Sequence, residues 1–178
     1  MAIMKLLPAH TSCDIYVSFS GKDNRGSGMN NLNYVLRDWG IKALMDDGEF
    51  KTTGDSISHT DYKEALEESR ISIVVLSQDY AHSTWCLDRL VQMLDCRKRK
   101  DQQVWPIFYE VVSSDVKNQR NMYGKAMEAH KIRFGENSEK VQKWRSALSK
   151  VASLKGLEFN TGYIYSIYFQ LLFAKFHN

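Results

Sequence analysis

Apolar runs that are short, yet nearly uninterrupted, recur along this chain. The clearest is ISIVVLS, residues 71–77, where apolar side chains occupy almost every position. Such a run is typical of a strand buried on both faces, because only a sheet covered on both sides hides consecutive side chains. Residues 14–19, 41–47 and 104–111 repeat the pattern, and residues 154–159 repeat it more weakly. We therefore expect five strands.

Longer amphipathic stretches separate these runs. Apolar residues recur every three or four positions in residues 30–39, 62–70, 87–94 and 139–154, which is typical of helices with one buried face. Strands that alternate with helices at this spacing form right-handed βαβ units. The sequence thus predicts an α/β fold, in which a parallel sheet carries helices on both faces.

Composition excludes several classes of protein. The 178 residues suit a single domain, and the net charge of +3 is too balanced to indicate a nucleic-acid partner. Cys13, Cys86 and Cys96 are odd in number and lack CxxC spacing, and none of the five histidines forms an HExxH pair. We therefore expect no disulfide framework and no metal site, in a reducing compartment.

The chain ends do not indicate export or a membrane. The first twelve residues are too poor in apolar side chains for a secretory signal. The carboxyl-terminal apolar stretch covers about fourteen positions and contains Ser166, Gln170 and Lys175, whereas a membrane span needs ~20 apolar residues. We expect a soluble intracellular protein.

Ligands of parallel sheets bind beyond the carboxyl ends of the strands. In this chain those ends lead into residues 20–25, 46–56 and 77–89, which are the segments where functional residues are expected.

The same segments carry a family resemblance. CDIYVSFSGKDNRG, IKALMDDGEFKTTGDSI, ALEESRISIVVLSQDYAHSTWCLDRL, VWPIFYEVVSSDVKNQRNMYGKA and KVQKWRSALSKVASLKG occur in that order between Cys13 and Gly156. Together they resemble plant Toll/interleukin-1 receptor (TIR) domains over nearly the whole chain. The resemblance implies a flavodoxin-like domain at residues 13–160, with an extension at 1–12 and a tail at 161–178.

For function, the resemblance implies a signalling module of plant innate immunity that contacts other TIR domains or TIR-containing receptors, and that self-associates. It implies the cytoplasm, or cytoplasm and nucleus together, and neither a membrane nor a specific nucleic acid as partner. Many TIR domains also cleave NAD at the bond between nicotinamide and ribose. The rival prediction is therefore an active NAD hydrolase that produces nucleotide signals.

The resemblance also assigns residues. The NAD cleft of the family corresponds here to Ser20, Gly21, Asp23, Arg25, Trp85 and Arg89. Its BB loop corresponds to Asp47, Gly48, Glu49, Phe50, Gly54 and Asp55. Its self-association faces correspond to Asn30, Asn31 and Gly124, although Gly124 is explained equally well as a helix-packing residue.

Two departures from the family pattern affect the cleft. The arginine that the family places in its first loop is Ser20, and the acidic residue two positions later is Lys22. The glutamate of the family's W-C-L-x-E-L motif is replaced by Arg89. Arg89 therefore occupies the family's catalytic position, and no other catalytic residue is predicted.

The Arg89 substitution matters because cleavage of an N-glycosidic bond leaves positive charge on the ribose, which a nearby carboxylate stabilises. A guanidinium ~4 Å from that charge would cost about 4 kcal/mol at an effective dielectric constant of about 20. Asp88 points ~100° away around the helix and cannot substitute. We predict inefficient NAD cleavage, no required cofactor, and at most residual nucleotide binding through Trp85 and Arg25.

Helical phasing predicts which side of this helix is buried. Leu87, Leu90, Val91 and Leu94 are expected inward, and Arg89 on a flank with Trp85, Met93 and Cys96. Arg89 can also simply cover Trp85 in a cation–π contact, which is compatible with a place in the cleft.

Three other features have alternative explanations. The basic run at residues 97–100 is typical of a solvated helix end, although it can bind nucleic acid or anionic lipid. Asp46 and Asp47 suggest a response-regulator receiver, but such a receiver also needs an aspartate where this chain has Leu76 and Ser77. The tail is either translation beyond an exon end or a terminal helix that covers the sheet edge.

Overall fold

The computed structural model describes residues 13–24, 29–48 and 59–159. Within them a parallel sheet has the strand order β2-β1-β3-β4-β5. The strands are β1 (Ile15–Ser18), β2 (Ala43–Asp46), β3 (Ile71–Leu76), β4 (Gln103–Tyr109) and β5 (Leu157–Phe159). The helices are α1 (Met29–Asp38), α2 (His59–Glu68), α3 (Thr84–Lys100), α4 (Ser113–Asn118), α5 (Asn121–Phe134) and α6 (Glu139–Ala152). The predicted fold class is confirmed.

Two apolar clusters, one on each face of the sheet, form the core. Alternate side chains of β3 supply both, because successive residues of a strand point to opposite faces. Ile71, Ile73 and Val75 pack with α1 residues on one face, and Val74 and Leu76 pack with α2, α3, α5 and α6 residues on the other. All six residues of β3 are buried, as the apolar run predicted.

The strand order places a crevice above β1 and β3. After β1 the chain turns to β2 on one side, and it then returns to β3 on the other side of β1. The loops that follow β1 and β3 therefore diverge, and ligands of open α/β sheets bind at such a point. Short 3₁₀ turns lie in both loops, at Gly21–Asn24 and Tyr80–His82.

The sequence missed α4 and α5. The buried stripe of α5 consists of Tyr123, Ala126, Met127 and His130, which are weakly hydrophobic or polar in part. The strongly apolar Ile132 lies instead on the exposed side, with 79% of its surface accessible. The helical period of apolar residues was therefore too weak to predict α5 from the sequence, although the helix itself is regular.

Candidate functional site

A buried carboxylate, Asp46, lies at the carboxyl end of the sheet, beside the end of β1. It is the last residue of β2, and 1% of its surface is exposed. The Tyr16 hydroxyl donates a hydrogen bond to Oδ2, and the backbone N–H of Gly48 donates to Oδ1 at 3.1 Å. The indole Nε1 of Trp85 donates to both carboxylate oxygens, at 2.8 and 3.1 Å. From the sequence, this aspartate suggested only a receiver domain, and its contacts with Tyr16, Trp85 and Gly48 were not predicted.

The Arg89 guanidinium lies against this carboxylate. Its Nε is 3.3 Å from Oδ2 of Asp46, and only 1% of the arginine is exposed. Its central carbon is 4.4 Å from the ring centroid of Trp85, which confirms the cation–π contact. Nη1 donates to Oε1 of Gln92, whereas Nη2 has no hydrogen-bond partner among the described residues. We call Tyr16, Asp46, Trp85 and Arg89 the Asp46 cluster.

Electrostatics explains why this arginine can be buried. A buried guanidinium is costly unless a carboxylate neutralises it at close range. Asp46 supplies that charge, and Trp85 covers the flat face of the guanidinium. Burial, and then the charge of Asp46, raises the pKa of Tyr16, which therefore stays a neutral donor to the carboxylate.

The predicted phase of α3 was partly wrong. Leu87 and Leu90 are buried as expected, but Arg89, Met93 and Cys96, which were placed on a flank, are also buried. Val91 and Leu94 are only half-buried. The buried face therefore includes Met93 and Cys96 in the apolar core, and Arg89 is buried beside them because Asp46 and Trp85 surround it.

Asp88 faces away from the crevice, as predicted. Its Oδ1 accepts a hydrogen bond of 2.9 Å from Nε1 of Trp144 on α6, and Lys140 lies 3.2 Å from its Oδ2. Both contacts hold the carboxylate against α6.

The first loop is only partly described. Ser20 and Gly21 follow β1 at the crevice, and Ser20 is 4% exposed. Lys22 pairs at the surface with Asp79 at 3.5 Å. The Asp23 side chain and the whole of Arg25 lie outside the described residues.

The start of the predicted BB loop packs against the amino end of α3. Gly48 has a φ of +70°, and a Cβ built there would collide with Sγ of Cys86 and approach Oγ of Ser83 at 3.3 Å. The Ser83 hydroxyl donates to the Gly48 carbonyl at 3.5 Å. The loop can therefore approach the amino end of α3 only because residue 48 is glycine.

The rest of the predicted BB loop, Glu49, Phe50, Gly54 and Asp55, lies outside the described residues, whereas Asp47 is half-buried directly after β2.

Of the three predicted association residues, the structure describes the surroundings of Gly124 alone. A Cβ there would lie 2.7 Å from the Gln119 carbonyl oxygen, so packing against the α4–α5 junction requires glycine. Asn30 and Asn31 lie in α1, but their side chains are outside the described residues. A role in self-association stays a prediction for all three.

Other features have simple structural roles. The basic run forms the last turn of α3 and is exposed. Cys13, Cys86 and Cys96 are buried thiols. Within residues 13–24, 29–48 and 59–159 no group of His, Cys, Asp and Glu could hold a metal ion. No helix in the same ranges is long and apolar enough to cross a bilayer.

Comparisons with known proteins identify the family. The TIR domain family model matches residues 13–166. The chain belongs to the TIR domain family. This TIR domain is 43% identical to TMV resistance protein N of Nicotiana glutinosa over 145 residues, which are 82% of the chain and 12% of that protein. It is 37% identical to disease resistance protein RPV1 of Vitis rotundifolia over 150 residues, 84% of the chain and 10% of that protein.

A solved structure agrees. It contains the TIR domains of the activated Roq1 resistosome, which directly recognizes the pathogen effector XopQ. These domains superpose on this chain with a TM-score of 0.78 at 35% identity. The match covers 92% of this chain and 98% of that one. The chain spans about a tenth of the length of the two resistance proteins. The domain boundary at residue 160 stays a prediction.

Proposed function

We propose that this TIR domain is a signalling module of plant immunity that works through TIR–TIR contacts and does not cleave NAD efficiently. Support for the signalling role comes from its family and from its similarity to plant disease resistance proteins. The observation that carries the catalytic part is the buried Arg89, paired with Asp46, at the position of the family's glutamate.

The chemistry requires a carboxylate that can reach the ribose, and both candidates near Arg89 are engaged. Asp46 accepts hydrogen bonds from Tyr16, Trp85 and Gly48 and is almost fully buried. Asp88 is held on α6. On this proposal the family's cleft is present without its anion.

The ion pair changes the electrostatic reason for inactivity. Asp46 largely neutralises Arg89, so the penalty of about 4 kcal/mol for a lone cation at the ribose is an upper bound. What remains is the missing stabilisation of the ribose cation, and a loss of ~3–4 kcal/mol of such stabilisation slows a reaction about 10²- to 10³-fold.

Arg89 also occupies one face of Trp85. With the guanidinium carbon 4.4 Å from the ring centroid, a nucleotide base cannot stack there without displacing the arginine. Residual binding of NAD would therefore be weak and would use other contacts.

The catalytic proposal is tested by incubating the purified chain with NAD and measuring released nicotinamide, beside an active TIR domain. We expect the unmodified chain to release nicotinamide at least 100-fold more slowly than the active domain. Arg89→Glu should increase release, whereas Arg89→Gln, which adds no anion, should not. Arg97→Glu is the matched control, because it makes the same charge change on the exposed end of α3.

Release by the unmodified chain at the pace of the active domain would favour the rival function, an NAD hydrolase.

The signalling part is tested separately by sedimentation of the chain alone and mixed with the TIR domain of a related resistance protein. We expect a concentration-dependent heavier species in the mixture. Two species that sediment independently at all concentrations would contradict the proposed TIR–TIR contacts.

A further inference from the structure

We infer that Asp46 is a positioning residue for position 89: its fixed carboxylate holds the Arg89 side chain against Trp85, and it would set the ionisation of any acid placed there. This inference rests on the proposed function only where catalysis is the readout. The structural part concerns the charge of two neighbouring side chains and can be measured without turnover.

Of the two residues in the ion pair, Asp46 is the one held in place by other contacts. Asp46 is anchored by three donors outside the ion pair, namely the Tyr16 hydroxyl, the Trp85 indole and the Gly48 backbone N–H. Three donors favour the ionised carboxylate, because protonation would turn one of its oxygens into a donor and weaken its capacity to accept. Arg89, in contrast, makes a single hydrogen bond in the described structure, to Gln92. Asp46 is therefore the fixed charge, and residue 89 adapts to it.

A glutamate at position 89 would bring a second carboxylate close to Asp46. Glutamate reaches one atom beyond Cδ, which is the position that Nε occupies in arginine. On the path of the Arg89 side chain, a glutamate Oε would thus lie about where Nε now lies, 3.3 Å from Oδ2 of Asp46. Two carboxylates at this separation cannot both ionise easily, so one keeps its proton to higher pH.

Of these two acids, the glutamate at position 89 would keep the proton to higher pH. The tyrosines near the pair do not compete, because burial raises the pKa of Tyr16, Tyr62 and Tyr80. Among the residues that the structure describes, the acidic groups that act on Tyr62 together with Arg89 are Asp46 and Asp47. Since all three donors already serve Asp46, the incoming glutamate takes the proton.

The consequence is that the new carboxyl in Arg89→Glu alone ionises at a higher pH than an ordinary glutamate does. Replacing Asp46 by asparagine keeps its shape and one acceptor oxygen but removes the competing charge. The double variant should therefore ionise Glu at position 89 near its ordinary pKa.

The direct test is ¹³C NMR titration of glutamate carboxyls in Arg89→Glu and in Arg89→Glu/Asp46→Asn. We expect the new glutamate to titrate about 2 units above the ordinary value of about 4.3, and to fall by at least about one unit in the double variant. Arg97→Glu, on the exposed end of the same helix, should titrate normally with or without Asp46. A new glutamate at position 89 that behaves like the one at position 97 would overturn the inference.

Arg89→His gives the opposite sign and guards against misfolding of the glutamate variant. Asp46 should raise the imidazole pKa above its ordinary value of about 6.5, and Asp46→Asn should remove that increase. An imidazole pKa that ignores Asp46 would also overturn the inference.

Catalysis supplies a second readout. If Arg89→Glu releases nicotinamide, its pH–rate profile should move to lower pH when Asp46 is also replaced. A profile that does not move counts against Asp46 as a positioning residue while leaving the proposed function intact. Absence of release from both variants contradicts the proposed cause of inactivity, and the NMR titration still decides the role of Asp46.

Discussion

At the scale of single residues, the Asp46 cluster shows how a cation can be buried inside a packed domain. The arginine is tolerated because a carboxylate, an indole and a half-buried glutamine surround it. Asp46 is the more heavily used partner, since Tyr16, Trp85 and Gly48 depend on it as well. The two members of the ion pair therefore differ in what their removal leaves behind.

This asymmetry predicts different losses of stability. Asp46→Leu leaves the Arg89 guanidinium buried without a counter-ion and removes the acceptor of Tyr16 and Trp85, so we expect a loss of about 3–5 kcal/mol in the free energy of unfolding. Arg89→Met leaves Asp46 with three donors and should cost clearly less. Asp46→Leu/Arg89→Met should recover part of the loss of Asp46→Leu. Urea unfolding measures all three, and an Arg89→Met protein as unstable as Asp46→Leu would contradict this ranking.

At the scale of elements, the loops beyond β2 and β3 are held together by close backbone approach. Gly48 lies against the first turn of α3, where Ser83 caps the helix by accepting a hydrogen bond of 3.2 Å from the backbone N–H of Cys86. A second close approach occurs in the α4–α5 junction, where Gly124 faces the Gln119 carbonyl and Gln119 itself has a φ of +46°. The Gln119 amide also donates to the Ser149 hydroxyl on α6 at 3.1 Å.

The junction predicts an unfavourable Gly124→Ala substitution. Alanine is the better helix former by about 1 kcal/mol, so an unhindered site would be stabilised. Here the new Cβ would lie 2.7 Å from a backbone oxygen, and the junction must shift to accept it. We expect a lower free energy of unfolding for Gly124→Ala, whereas Lys125→Ala at the neighbouring exposed position should stay within about 0.5 kcal/mol of the parent. A more stable Gly124→Ala protein would show that the contact is not restrictive.

At the scale of the whole molecule, the sequence predicted the layers but not the contacts between them. All five strands were predicted, with ends displaced by at most three residues, because buried parallel strands carry continuous apolar runs. The pairing of Arg89 with Asp46 could not be predicted, because it joins two elements that only the sheet topology brings together. The prediction that Arg89 lies on a flank of α3 was wrong, because hydrophobic phasing assumes that a charged residue faces solvent. The buried partner, Asp46, is not visible from the sequence of the helix.

A buried histidine predicts how the domain responds to acid. His130 is 6% exposed, donates a hydrogen bond of 2.9 Å from Nε2 to the Ala81 carbonyl and packs edge-on against Trp144, with ring centroids 4.9 Å apart. Burial lowers its pKa, so below the ordinary value of about 6.5 the unfolded chain binds the proton more readily than the folded one.

The free energy of unfolding should accordingly decrease as the pH falls from about 6.5 to 5. His130→Gln should flatten this pH dependence, whereas His82→Gln, at an exposed position, should not. Urea unfolding at a series of pH values measures the effect, and equal slopes in the parent and His130→Gln proteins would rule out His130 as its source.

The burial of the Arg89 ion pair also separates two properties by ionic strength. Dissolved ions shorten the reach of exposed charges to ~3 Å at 1 M salt, yet they barely touch a pair from which water is excluded. Concentrated salt should therefore weaken any assembly that is held by surface charges, for example by the basic residues at the end of α3. The buried ion pair between Arg89 and Asp46 should be unaffected. A change in assembly between dilute and concentrated salt would then report on the contacts between domains, and not on the ion pair inside the crevice.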